Sequence, residues 1–455
     1  MKKIEFLIRC FLILIFIFTF FSKVHSQTLE QSISLGLKNS STLSSESLEW
    51  ASLREKLNQA KAGIEMTGIL NGSFSQSYSG ESGNYNNSHS DSISATLSKS
   101  LYDGGVSDAQ KSISQLNIDQ KSLQIKILEQ SVILEIVSIH LNTIVANFTR
   151  KLREKNLSRV IEQVEANKAR YNVGAINKTV LATSEAHLAR AQSQLIQSRV
   201  DLSNSVSQYT SLIGETPAEL KFPDLPSNLP NDVSEAEEIA IKKSMDIALA
   251  KLNIQLNDKK YNSLIASVMP TISTSLSATL SDSSRSGYSE GVSVSLSLKS
   301  PIFYTPSTSS KNRELVANAK ALSYDLDEVV RKTKLNAKLS FETLSASLSL
   351  IKAAEKELST AKIAALGIKK ENEFGAKTIL DVLDADIEVV NSEINLWQAK
   401  RESVLASFKL LASIGMLNTE SLGIQPSGPQ YNEIEIIAPP LPSPVSVLKI
   451  NNWIN

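Results

Sequence analysis

A heptad pattern of apolar residues dominates the first half of the chain. From Val106 to Phe148 the apolar positions are spaced alternately three and four residues apart, and only two glutamines interrupt them. The positions are Val106, Ala109, Ile113, Leu116, Gln120, Leu123, Ile127, Gln130, Leu134, Val137, Leu141, Ile144 and Phe148. A mean spacing of about 3.5 residues is typical of long helices packed side by side. Because neither proline nor glycine interrupts residues 107–173, the pattern predicts one helix over that range.

The heptad pattern recurs in three later segments. It predicts a returning helix over residues 179–213 and a second pair of helices over residues 307–373 and 378–414. The returning helices have apolar residues at every seventh position, which are Leu181, Leu188, Leu195, Leu202 and Tyr209, then Leu383, Val390, Trp397, Val404 and Leu411. Small residues that allow close helix approach follow at Ala191, Ser198 and Ser205. The helix over residues 307–373 has a less regular series at Phe341, Leu344, Leu348, Ile351 and Leu358.

The glycines show that the chain contains a repeat. Gly174 and Gly375 are 201 residues apart, and each is followed 40 residues later by a second glycine, Gly214 or Gly415. Each first glycine interrupts a long helical pattern, which predicts a tight turn between two antiparallel helices. Two copies of one unit are therefore predicted. The predicted segments are a signal peptide at residues 1–26, a first repeat at 27–230, a second repeat at 231–417 and a proline-rich tail at 418–455.

Period-two alternation precedes each outgoing helix. Residues 272–280 and 292–298 alternate between apolar side chains and Ser or Thr around a polar loop at 281–288, and the first repeat has a similar pattern around a polar loop at 80–90. Each predicted strand has about the 9–11 residues needed to cross a bilayer obliquely. The predicted lipid-facing residues are Leu70, Phe74, Ile93, Leu97, Leu276, Leu280, Val294 and Leu296. Tyr102, Phe303 and Tyr304 are predicted to lie at the membrane interface.

Two soluble hairpins on a protein core would show the same alternation. The second face is nearly all serine, which fits a water-filled lumen better than a core. Four strands cannot close a barrel, so the pattern predicts that other copies pair with the sheet edges, and three copies would supply about 12 strands. The returning helix 179–213 is predicted to be continued by residues 233–268, and helix 378–414 by residues 28–64. The fold class is therefore mixed α and β, with long antiparallel hairpins forming an α-barrel beside a transmembrane β-barrel.

Composition excludes several classes of function. Residues 1–26 have the basic, apolar and small-residue sections of a signal peptide, and the only cysteine, Cys10, lies in it. With 47 basic and 47 acidic residues, the chain has no basic excess for a nucleic acid. No later run of 18 apolar residues predicts a membrane-spanning helix. Neither a catalytic motif, a metal-ligand cluster nor a cofactor motif is evident, so an enzyme is not predicted.

Three motifs together resemble the TolC-type outer-membrane efflux channel family. They are the stretch from Gly375 through Asp381 to Ala385, the stretch from Ser98 to Gly105 before the first long helix, and residues 179–191. The resemblance covers about residues 28–417. It implies a homotrimer in the outer membrane of a Gram-negative bacterium that extends into the periplasm. It also implies a periplasmic adaptor protein and an inner-membrane pump as partners, in efflux or type I secretion. The exported substrate, whether drug, metal or protein, stays open.

The resemblance also implies site residues. Asp381 and Asp384 correspond to the family's pore constriction, where repulsion among six carboxylates should raise some pKa values and favour cations. The adaptor-docking turns are Val173, Gly174, Ala175, Phe374, Gly375 and Ala376. The candidates for the gate latch are Lys377, Thr179 and Asn372.

This chain departs from the family pattern at the latch. Val180 stands where the family has an aspartate, Lys377 replaces an arginine and Asn372 replaces an aromatic residue, so a weaker latch is predicted. A periplasmic adaptor or a structural coiled-coil protein is the alternative. An adaptor, however, would have one hairpin rather than two.

Overall fold

The computed structural model describes residues 27–63, 65–81 and 84–424. The predicted signal peptide, with Cys10, and the prolines from Pro426 onward lie outside the described residues. The described residues form eight α-helices and four β-strands. The helices are α1 Leu29–Asn39, α2 Ser41–Ala62, α3 Val106–Asn172, α4 Lys178–Ile213, α5 Val233–Lys243, α6 Met245–Ala266, α7 Pro306–Glu373 and α8 Ile379–Ser413. The strands are β1 Thr67–Glu81, β2 Asn84–Tyr102, β3 Thr271–Ser283 and β4 Gly287–Lys299.

The long helices are close to their predicted bounds. Helix α3 has 67 residues and α7 has 68, and each is unbroken as the absence of internal proline predicted. The prediction of single helices over residues 28–64 and 233–268 was wrong. Each is divided into an 11-residue and a 22-residue helix, at Ser40 in the first repeat and at Ser244 in the second. Both serines have extended backbone, with ψ of 106° and 125°, which ends the preceding helix.

The predicted continuation of the returning helices was also wrong. Helix α4 ends at Gly214 against Asn39, whose side-chain amide donates to the carbonyl of Ile213. Helix α8 ends at Gly415 against the carbonyl of Lys243. Each returning helix therefore ends at the helix break of its own repeat and not at that of the other repeat. The two arrangements differ only in which ends meet, and heptad spacing contains no information on that choice.

The chain forms two compact units. The described parts of the first are residues 27–43, 126–245 and 330–424, and those of the second are 44–125 and 246–329. The first unit contains both hairpin turns and the second contains the sheet. These units are not the sequence repeats, because each repeat contributes to both.

The sheet has the antiparallel order β1-β2-β3-β4, so β1 and β4 are its edges in the described chain. Its strands have 15, 19, 13 and 13 residues, which is longer than predicted. The predicted loops at 80–90 and 281–288 were too long, since β1 and β2 pair as far as Glu81 and Asn84, and β3 and β4 as far as Ser283 and Gly287. Near these turns the residues are mostly polar, so the sequence shows no alternation of apolar and polar side chains. Their backbones nevertheless remain paired between the strands.

The predicted apolar face of the sheet is present and exposed. Register places Leu97 opposite Leu276, and Leu276 opposite Val294, so their side chains share one face. All eight predicted lipid-facing residues are exposed, from 42% at Leu276 to 76% at Phe74. The other face has paired hydroxyl groups 2.7–2.9 Å apart. These pairs are Thr67–Ser98, Ser73–Ser92, Ser77–Ser88, Ser275–Ser295 and Ser281–Ser289. One face therefore carries most of the apolar side chains, and the other carries the hydrogen-bonded hydroxyl pairs.

Part of the α3 heptad series lies in the interior of the first unit. Val137, Leu141 and Ile144 of the series are buried, whereas Leu134 and Phe148 are half-buried. Ile133 and Ile136, which are not members of the series, are fully buried. The earlier predicted positions, from Val106 to Gln130, are only half-buried, and Ile118 and Ile125 are buried instead. Helix α3 also contains an 18-residue window apolar enough to cross a membrane, but half of that window is buried inside the protein. Burial of this kind is typical of a core helix.

Candidate functional site: the two hairpin turns

The two hairpin turns have the same backbone geometry. Gly174 and Gly375 have φ values of 75° and 76°, in the left-handed region that favours glycine. In the first turn, the amide of Gly174 donates to the carbonyl of Tyr171, and that of Ala175 donates to the carbonyl of Arg170. The second turn repeats this pair of hydrogen bonds at Gly375 and Ala376. These are the two bonds of a Schellman motif, so the glycine of each turn ends its helix by the same mechanism.

Both turns present an apolar side chain to solvent. Val173 is 79% exposed and Phe374 is 88% exposed. A Cβ atom added to Gly174 or Gly375 would have no neighbour within 4 Å. The turns therefore have room for a partner, and their glycines are required by backbone conformation rather than by local crowding.

The two returning helices begin with different caps. Asn177 accepts from the amide of Val180 at the start of α4. Thr378 and Asp381 form a capping box at the start of α8, in which each side chain accepts from the backbone amide of the other. Val180 and Asp381 occupy equivalent positions in the two repeats, so the first repeat has the cap without the carboxylate.

The capping box lowers the pKa of Asp381 within one chain. Hydrogen bonds from the Thr378 hydroxyl and backbone amide lower the pKa of Asp381, and nearby Lys377 lowers it further. The sequence predicted raised pKa values from repulsion in a ring of carboxylates. For Asp381 in the single chain the direction is the opposite, because the cap stabilises the charged form.

Asp384 lies one turn after Asp381 on α8 and faces the first hairpin. Its carboxylate oxygen Oδ1 is 3.9 Å from Nε2 of His187 on α4. The side chain of Asp384 is 70% exposed, whereas that of His187 is 10% exposed. The sequence singled out Asp384 but not His187, because an isolated histidine on a heptad helix carries no spacing signal.

In the described chain, the latch candidates of the second turn are joined to each other but not to Thr179 of the first hairpin. Asn372 donates to the carbonyl of Lys377, 2.8 Å away, and so closes its own turn. The carbonyl of Thr179 accepts from Thr183 one helical turn later. Among the described residues, no hydrogen bond or ion pair links the side chain of Lys377 to the first hairpin. The second turn is therefore stabilised from within.

Small apolar and polar contacts hold the hairpins together behind the turns. Val160, Val164, Ala191 and Leu383 form a buried cluster from α3, α4 and α8. Hydrogen bonds between polar side chains flank this cluster. Asn167 donates to Ser184 at 2.7 Å. Arg153 donates to Gln194 at 3.1 Å and to Asn391 at 3.2 Å. Burial lowers the pKa of Arg153. The heptad pattern indicated Ala191 and Leu383, but the polar contacts occupy positions with no distinctive spacing.

The described residues contain no group of three or more His, Cys, Asp or Glu side chains that could hold a metal ion. The carboxylates near the turns instead pair with cations of the protein. Arg159 and Asp386 are 4.0 Å apart, and Lys168 and Glu185 are 3.6 Å apart. Charged side chains near the turns are therefore arranged in ion pairs within the protein.

Comparisons with known proteins agree with this architecture. The model of the family described as outer membrane efflux protein matches residues 238–416. The outer membrane efflux protein BepC of Brucella suis is 25% identical over 336 residues, covering 73% of this chain and 74% of BepC. The outer membrane protein TolC of Escherichia coli is 22% identical over 430 residues, covering 86% of each. The crystal structure of the Campylobacter jejuni CmeC outer membrane channel has a TM-score of 0.73 at 14% identity, covering 88% of this chain and 89% of that one.

Proposed function

We propose that the chain, which is similar to the outer membrane efflux proteins BepC and TolC, forms one channel of three copies across the outer membrane and the periplasm. The resemblance to outer membrane channels favours this function over the adaptor and coiled-coil alternatives. The observation that carries the proposal is the four-stranded sheet. It has one exposed apolar face, one hydroxyl-lined face and two open edges. Lipid would cover the first face, water the second, and neighbouring copies the edges.

The number of copies follows from closure. An open edge at β1 and another at β4 allow head-to-tail pairing, which generates a ring when the rotation closes. A closed barrel needs about eight or more strands, so two or three copies of four strands are the smallest solutions. We propose three, giving a barrel of about 12 strands, since two copies would leave little lumen beyond the side chains.

The hairpin turns are proposed to be the periplasmic contact with an adaptor protein. Phe374 and Val173 offer exposed apolar groups on two turns of matching backbone geometry. An adaptor would pack against both turns and link the channel to an inner-membrane pump. The turns are tight, and no neighbouring atom lies close to their glycines. The small residues Gly174, Ala175, Gly375 and Ala376 would therefore allow the adaptor to approach the backbone of the turns closely.

Asp381 and Asp384 are proposed to line the narrowest part of the pore, where three copies would place six carboxylates. The capping box keeps Asp381 charged, and the exposure of Asp384 leaves its carboxylate accessible. A ring of negative charge would favour cations over anions. The latch function of Lys377, Thr179 and Asn372 stays a proposal. Asn372 bonds only within its own turn, which supports a weaker latch.

Purification from outer membranes tests the proposal directly. The mature protein, extracted in detergent, should have the mass of three chains and should form cation-preferring channels in a planar bilayer. Replacing both Asp381 and Asp384 with Asn should reduce the preference for cations while the trimer mass stays the same. A protein found only in the soluble periplasmic fraction, or a monomer without conductance, would contradict the proposed function.

A further inference from the structure

His187 is the one mature-chain histidine within the described residues that is buried without a hydrogen bond. His140 bonds to Ser32 and to the carbonyl of Lys221, and His89 bonds to Ser284. His187 is 9% exposed, and its Nδ1 atom is buried without a partner. Its other nitrogen, Nε2, faces only the carboxylate of Asp384, at a distance beyond that of a hydrogen bond.

A buried polar group without a partner costs free energy, and the Nδ1 atom of His187 has no partner. The interaction open to the ring is therefore at Nε2, which lies 3.9 Å from the Asp384 carboxylate. A small side-chain movement would bring these two groups into contact. A protonated imidazole would attract that carboxylate, whereas a neutral one offers a weaker hydrogen bond.

The neighbouring charged groups do not compete for this interaction. On α4, Glu185 pairs with Lys168 of α3, and Arg190 is exposed. On α8, Asp386 pairs with Arg159 of α3. The α3 side chains that pack near α4 and α8 here carry no charge. They are Val160, Val164 and Asn167, which bonds to Ser184. Asp381, one turn before Asp384, is bonded to Thr378.

We infer that His187 sets the ion selectivity of the pore mouth by reversibly binding Asp384. This rests on the proposed position of Asp384 at the constriction. With neutral His187, the three Asp384 carboxylates of the assembly face the pore and add to the three of Asp381. When His187 is protonated, each Asp384 pairs with an imidazolium and withdraws toward α4. The free negative charge of the ring then falls by half, and the preference for cations falls with it.

The expected signature is a change of ion selectivity with pH. The cation-to-anion permeability ratio of wild-type channels should fall by roughly a factor of two when the pH is lowered from about 7.5 to about 5.5. His187→Gln retains a polar side chain but cannot become charged, so its ratio should stay constant over that range. Asp384→Asn should have a low ratio at both pH values, and the double variant should behave as Asp384→Asn does.

A second histidine that lies near a carboxylate gives a matched control. His89→Gln removes an imidazole from the sheet, 48% exposed beside Asp282, and should keep the full wild-type pH response. A wild-type ratio that is constant from about pH 7.5 to about pH 5.5, or a His187→Gln channel that keeps the response, would overturn the inference. Asp384→Glu is a second variant that retains the charge, and it should also keep the response. Channels that conduct but lack this response reject only the inference, whereas the absence of any channel would reject the proposed function.

Discussion

The rings of Phe148 and Trp397 stack with their centroids 4.0 Å apart and their planes 12° apart. Phe148 belongs to α3 of the first repeat and Trp397 to α8 of the second, so the contact joins the repeats within one compact unit. Phe222, in the segment between α4 and α5, packs edge-on against the same indole with centroids 5.6 Å apart. Both stacked residues are members of the predicted heptad series. The pattern thus identified the surfaces that meet, although not which helices meet.

The stack should contribute measurably to stability. Phe148→Leu and Trp397→Leu should each lower the free energy of unfolding, and the double variant should be more stable than the sum of the two losses predicts. The coupling between the rings is expected to be about 0.5–1.5 kcal/mol. Urea unfolding of the detergent-solubilised protein gives all four values. Losses that simply add would show that the rings do not interact.

The glycines at helix ends should tolerate alanine very differently. Gly375→Ala places a Cβ in open space at a φ of 76°, so the cost should be about 1–2 kcal/mol of backbone strain alone. Gly415→Ala combines a φ of 72° with a Cβ that would lie 2.4 Å from the carbonyl oxygen of Lys243. We expect a loss roughly twice as large or more, because backbone must move. Equal thermal stability of the two variants would contradict the packing of α8 against the end of α5.

The equivalence of these glycines was visible in the sequence, but their different surroundings were not. A spacing of 201 residues revealed Gly174 and Gly375 as turns, and the structure agrees. The same spacing could not reveal that Gly214 and Gly415 abut the helix breaks at Ser40 and Ser244. A serine within a helical pattern is common, and tertiary contacts decide whether the helix ends there.

At the candidate site the sequence indicated the residues near the turns but not their partners. Asp381 and Asp384 are both where the motif predicted, on α8. Their partners differ, since one caps its own helix and the other faces His187. Partners that lie far apart in sequence follow from the packing of whole helices, which short motifs do not encode.

A buried histidine should make stability depend on pH. The Nδ1 atom of His140 forms a hydrogen bond with the Ser32 hydroxyl at 2.9 Å, and its Nε2 donates to the carbonyl of Lys221 at 3.1 Å. Burial lowers the pKa of His140. The native state therefore resists protonation, and its stability is fully present above about pH 6.5 and falls as the pH drops below that value.

His140→Asn tests this dependence. The variant should be less stable than wild type by about 1–3 kcal/mol at neutral pH, because it leaves polar groups unpaired. The difference should narrow on acidification, since wild type alone loses the contribution of neutral His140. Unfolding curves of both proteins at about pH 8 and about pH 5 provide the comparison. A difference of equal size at both pH values would contradict the assignment of His140 as a neutral buried group.

The hairpin turns should matter more for transport than for stability. Gly174→Val and Gly375→Val introduce a β-branched side chain at the exposed turns, where no neighbouring atom is displaced but a partner's approach is blocked. Efflux or secretion in cells should be lost while trimer yield stays near that of wild type. Gly287→Val is a matched control, because Gly287 also has a positive φ, of 66°, and open space, but lies in the turn between β3 and β4. Normal transport by both hairpin variants would argue against the turns as the docking contact.

Disulfide cross-linking between the two sheet edges tests the central claim of a closed three-copy barrel most directly. The only cysteine, Cys10, precedes the mature chain predicted here, so introduced thiols have no competitor. A fixed Ser73→Cys on β1 would be combined with cysteine at successive serines of β4, from Ser289 to Ser297. Within one chain β1 and β4 are three strand spacings apart, about 14 Å, which is too far for a disulfide. Closure predicts that at least one pairing gives a covalent product with the mass of three chains and no larger species. Products that stop at two chains, extend beyond three or never form at any pairing would contradict it.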